Sequence, residues 1–73
     1  MKAHRILLQK KYARVIFLFA ECAAIDIKTA MDLFYHSNTY YLMKNGIADM
    51  HCMSDRYLAE DLKQEFRPQL HTL

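Results

Sequence analysis

Cys22, His36, His51 and Cys52 are of the side-chain types that hold zinc through thiolate and imidazole. Structural zinc sites take ligands about two to four residues apart, so that one turn presents both. His51 and Cys52 are adjacent and would point apart, so no metal site is expected. A nucleophilic cysteine needs a histidine to lower its pKa and a third group to orient that base. His51 gives Cys52 proximity without orientation, and Cys22 reads as a small buried hydrophobe. Asp61 and Glu65 share a helix face and could do acid/base work, although such pairs are more often solvated surface. With Gly46 as its one glycine, the chain has no glycine-rich stretch to bring backbone amides onto phosphate. No catalytic residue and no cofactor are expected.

Lys10, Lys11 and Arg14 could follow the phosphates of a nucleic acid, with Tyr40 and Tyr41 stacking on bases. A pI near 8.6 is below the strongly basic balance of a dedicated binder. A recognition helix would also need polar base-reading residues at its start, and the helix after Ser54 offers Arg56 alone. Nucleic acid is the alternative partner, not the first choice.

The elements that must position these residues are helical. From Ala3 to about Ala24 nothing breaks a helix, and Leu8, Tyr12, Val15, Phe19 and Cys22 recur at the spacing of one buried stripe. Ile16 and Ala23 widen that stripe, while Leu7, Phe17 and Leu18 fall on the other side among Lys11 and Arg14. Asp26 caps a second helix over about 27–36, with Ile27, Ala30, Met31, Phe34 and Tyr35 as its apolar face. Ser37 caps a short third helix through Tyr40, Tyr41 and Met43, which ends at Asn45-Gly46. The stretch from Ile47 to Met53 reads as loop. Ser54 caps the last helix, whose core stripe is Tyr57, Leu58, Leu62 and Phe66, and Pro68 forbids its continuation.

At 73 residues with 53% apolar content, one Gly and one Pro, the chain suits one small helical domain over 1–73. Its net charge of +2 divides unevenly: the first twenty residues hold +5 and the rest −3. Two cysteines without a CxxC fit a reducing, cytoplasmic compartment. The apolar block Val15 to Ala20 is far short of the roughly twenty residues of a membrane span. Glu21 inside the only candidate cleavage region argues against an exported leader.

The run from Ala30 to Leu62 resembles a family of small bacterial domains of unknown function. The matching features are Asp32-Leu33-Phe34 at a helix end, a tyrosine-containing short helix, the Met50-His51 step, and the segment Tyr57 to Leu62. Where the family often has Leu before the histidine, this chain has Met50. The resemblance implies an all-helical fold with no assigned activity. It also implies a partner or antitoxin role, because members are sometimes encoded beside ADP-ribosyltransferase-like proteins. It carries over no functional residue to His51, Glu60 or Asp61.

The expected molecule is an all-α bundle of about four helices with one long N-terminal helix, acting as a non-enzymatic protein-interaction module. Its candidate interface is Leu7, Lys11, Arg14, Phe17 and Leu18, open to a protein partner or to a second copy in a homodimer. The competing expectation is that the short helices wrap the first helix on both sides and leave a monomer.

Overall fold

A computed structural model describes residues 5–70, and side chains from Leu7 onward. The expected helix start at Ala3 and the charge of Lys2 lie outside these residues, as does the side chain of Arg5. The described chain is all-α, with no strand: α1 (Arg5–Ala23), α2 (Ile27–Tyr35), α3 (Asn38–Lys44), a 3-10 segment (Ile47–Cys52), α4 (Asp55–Glu65) and α5 (Arg67–Leu70). Six helical segments thus stand where about four helices were expected, because two short pieces join the main ones.

Side chains set most of the boundaries. Asp26, Ser37 and Ser54 each accept a hydrogen bond from the backbone N–H three residues on, at Thr29, Tyr40 and Tyr57. Gly46 takes the left-handed conformation past α3, with φ 64°. α1 ends in the same way without a glycine. Ala24 has φ 57° and the Ile25 N–H reaches back to the Ala20 carbonyl at 3.0 Å, the six-to-one bond of a Schellman ending.

Two expectations are corrected. Ile47–Cys52 is a kinked 3-10 segment, not a loop, with Ala48 and Asp49 both left-handed at φ 53°. Pro68 does not stop helical structure. α4 ends at Glu65 with Phe66 as its cap, and Pro68 lies in the first turn of α5, where a missing N–H costs no internal bond.

Contacts along α1 give the directions of packing. Tyr12, in its first half, meets Phe34 and Tyr35 at the end of α2, so α2 runs back antiparallel to α1. Lys11 and Arg14 meet Asp55 at the start of α4, and Phe19 meets Phe66 just past its end, so α4 runs parallel to α1. α1 therefore lies between α2 and α4. Its stripe of Tyr12, Val15, Ile16, Phe19 and Ala20 is buried against Ala30 and Phe34 of α2, Met43 of α3, and Leu58, Ala59 and Leu62 of α4. Tyr57 was expected in that core and is instead 52% exposed.

Candidate interaction surface

The five candidate interface residues do not form one patch. Lys11 and Arg14 are drawn to the start of α4. The Lys11 ammonium lies 2.6 Å from Asp55 Oδ1 and donates to the Met53 carbonyl at 2.6 Å, while Arg14 Nε donates to Asp55 Oδ2 at 3.0 Å. These bonds, that from Lys11 foremost, hold the Asp55 carboxyl below the usual carboxylate range against the opposing push of burial. Leu18 is half-buried and packs on the core. Leu7 and Phe17 remain open, at 64% and 58% exposure.

Phe17 belongs to a surface that includes α2. A groove of about 280 Å³ runs between the two helices, lined by Gln9, Ala13, Ile16 and Phe17 from α1 and by Ile27, Met31 and Tyr35 from α2. The α2 residues recur every fourth position, which aligns them on one side of that helix. Ala30 and Phe34 take the core side, so Ile27, Met31 and Tyr35 are left at the surface. On α1, the small Ala13 lies one turn before Phe17 and keeps the groove open beside that ring.

Sequence reasoning put Ile27, Met31 and Tyr35 on one apolar face with Ala30 and Phe34, without dividing that face into a covered and an open side. The available signal was breadth: six apolar side chains in nine residues exceed what one packed face of a short helix absorbs. Tyr35 also stiffens the groove wall. Its ring meets Tyr40 at 4.9 Å and Phe34 at 5.2 Å between centroids, and both belong to a cluster around Tyr12. Burial of Tyr12 within that cluster, with the neighbouring Tyr40 and Tyr35, pushes its phenol pKa up to about 12.

The groups that could do chemistry are dispersed or occupied. Among the described residues, no three His, Cys, Asp or Glu side chains come together in a way that could hold a metal ion. His36 Nδ1 donates to the Asp32 carbonyl at 2.7 Å, back along its own helix. His51 is half-buried, and its Nδ1 is enclosed with no hydrogen-bond partner among the described residues.

Asp61 and Glu65 both reach the start of α3. Glu65 accepts from the Asn38 N–H at 2.7 Å and the Thr39 N–H at 3.3 Å, so its carboxylate closes the first turn of α3. The buried Thr39 hydroxyl lies within bonding distance of both carboxylates, 3.1 Å from Asp61 and 3.2 Å from Glu65, and its single proton serves one at a time.

No protein-family model, no curated protein and no solved structure matches the chain. Among the described residues, no helix is long and apolar enough to cross a membrane.

Proposed function

We propose that this chain is a non-enzymatic interaction module whose contact surface is the groove between α1 and α2. The observation that carries the reading is the exposure of Phe17, Ile27, Met31 and Tyr35 around one continuous groove, in a fold whose core is already closed by other residues. Contiguous apolar surface of this kind, rich in aromatic and Met side chains, is typical of protein contact sites. Its breadth and shallow walls suit the apolar side of a helix better than a small substrate. The resemblance of Ala30 to Leu62 to a bacterial family whose members are sometimes encoded beside ADP-ribosyltransferase-like proteins makes a protein of that class the first heterologous partner to try, in an antitoxin-like role within the cytoplasm.

The alternative, a nucleic-acid-binding regulator reading phosphates with α1, draws less support. Two of its three clustered bases, Lys11 and Arg14, are engaged by Asp55, and Lys10 alone of the three has no such anchor. Capture from native cell extract with the wild-type chain, Phe17→Glu and Met31→Glu as parallel baits tests the reading. One protein held stoichiometrically by the wild type, retained at moderate salt and lost by both variants, is the expected result. Retention by the variants, or capture of nucleic acid that fades steeply with salt, would contradict it.

A further inference from the structure

We infer that the occupant of the α1/α2 face is a second copy of this chain, related by a two-fold axis that crosses α1 beside Phe17. The inference rests on the reading of this face as the contact surface and adds the identity of what covers it.

The first argument is shape. One face carries both a projecting ring, Phe17, and a groove beside it lined by Ala13, Ile16 and Met31. A two-fold operation at this point sets the two Phe17 rings against each other with the groove of each copy alongside, because an isologous contact uses the same patch twice. The α1/α2 hairpin then meets its equivalent as an antiparallel four-helix layer, with Ile27 and Tyr35 closing the two ends.

The second argument is charge. The exposed edge of α1 reads Lys10, Arg14, Phe17, Glu21, at intervals of four, three and four residues, so that all four lie along one stripe. The bases precede Phe17 and the acid follows it. An antiparallel partner centred on Phe17 therefore brings its Glu21 to the turn that carries Lys10, with Arg14 beside it already held by Asp55, and the symmetry makes the Glu21 to Lys10 pairing twice. On α2 the exposed Lys28 and Asp32 are four residues apart on either side of Ala30, and the same reversal sets each against its opposite. A parallel arrangement would instead stack base on base and acid on acid.

Sedimentation equilibrium on the full chain tests this. The wild type should be a dimer at micromolar concentration. Phe17→Glu should raise the dissociation constant at least about 100-fold, because it buries two unpaired carboxylates at the axis. Phe17 lies outside the core, so the variant should keep the wild-type helical circular dichroism spectrum and melt like wild type diluted below its dissociation constant. Glu21→Lys should weaken the dimer about tenfold, and adding Lys10→Glu to it should restore the wild-type constant. A wild type that stays monomeric at high micromolar concentration overturns the inference. So does a dimer indifferent to both Phe17→Glu and the charge reversal. A monomeric wild type that still captures another protein, and loses it in Met31→Glu, overturns self-association alone and leaves the contact-face reading standing.

Discussion

Ala24 holds a φ of 57° at the end of α1, where a β-carbon crowds the following carbonyl at a cost of roughly 1–2 kcal/mol. It is exposed and contributes no core packing, so Ala24→Gly should raise the unfolding free energy by about 1 kcal/mol in a urea titration. A loss of stability would mean that α1 ends in another way. Asp55 gives the second prediction at this scale. Its folded pKa is depressed, so its contribution is present above the unfolded value of about 4 and is lost as pH falls through the folded one. Asp26, depressed by the hydrogen bonds from Thr29, acts in the same direction. Asp55→Ala should cost about 1–3 kcal/mol at neutral pH, since it leaves the largely buried Lys11 ammonium with only the neutral Met53 carbonyl, and should flatten the acid limb of the stability curve. The three polar caps were legible in sequence because Asp and Ser signal themselves at helix starts. Left-handed Ala24, Ala48 and Asp49 were not, because their types do not ask for that conformation. The pairing of Lys11 and Arg14 with Asp55 was equally hidden, because it joins residues more than forty positions apart.

α4 closes the core against the buried stripe of α1. Leu58, Ala59 and Leu62 are fully buried, and Phe66 just beyond packs on Phe19 at 6.4 Å between ring centroids. Leu58→Ala, Leu62→Ala and Phe66→Ala should each cost about 2–5 kcal/mol, read from denaturant midpoints, because so small a core cannot collapse around the lost volume. Losses below about 1 kcal/mol at all three would place the stripe in water. The same helix also holds α3 by its start. Glu65→Ala removes the acceptor for the Asn38 and Thr39 amides and should cost about 1–2 kcal/mol, whereas Glu65→Gln should keep part of that. A neutral Glu65→Ala would show that solvent serves those amides equally well. Helix positions followed from periodicity, since the i, i+3, i+4 recurrence survives packing. The division of α2 into a buried side, Ala30 and Phe34, and an exposed side, Ile27, Met31 and Tyr35, did not. Both sides are apolar, and only the course of α1 and α3 decides which one is covered. Tyr57 was misplaced for a related reason: an aromatic ring beside a Leu stripe has the right type but lies at the wrong angle.

At the scale of the molecule, α1 is flanked by α2 running against it and α4 running with it, and this choice determines what stays outside. Closure against α4 uses the Lys11 and Arg14 side of the helix. Closure against α2 buries Ile16 and Ala20 and leaves Phe17 at the rim. The uneven charge of the sequence has the same origin, because the basic first half of α1 has part of its counter-charge in Asp55 within the fold. An apolar surplus on α1 was legible; its extension onto α2 depends on tertiary packing and was not. The central claim is that the α1/α2 groove is where this protein meets its partner. Its most direct test is a nitrogen-15 correlation spectrum of the labelled chain, recorded over a dilution series in buffer and again in native cell extract. Cross-peaks of Ala13, Phe17, Ile27, Met31 and Tyr35 should shift or lose intensity between the most dilute sample and either the concentrated sample or the extract, while those of Glu60, Lys63 and Gln64 on the exposed side of α4 should hold. Groove resonances unchanged by both, or perturbations confined to α4, would contradict the account.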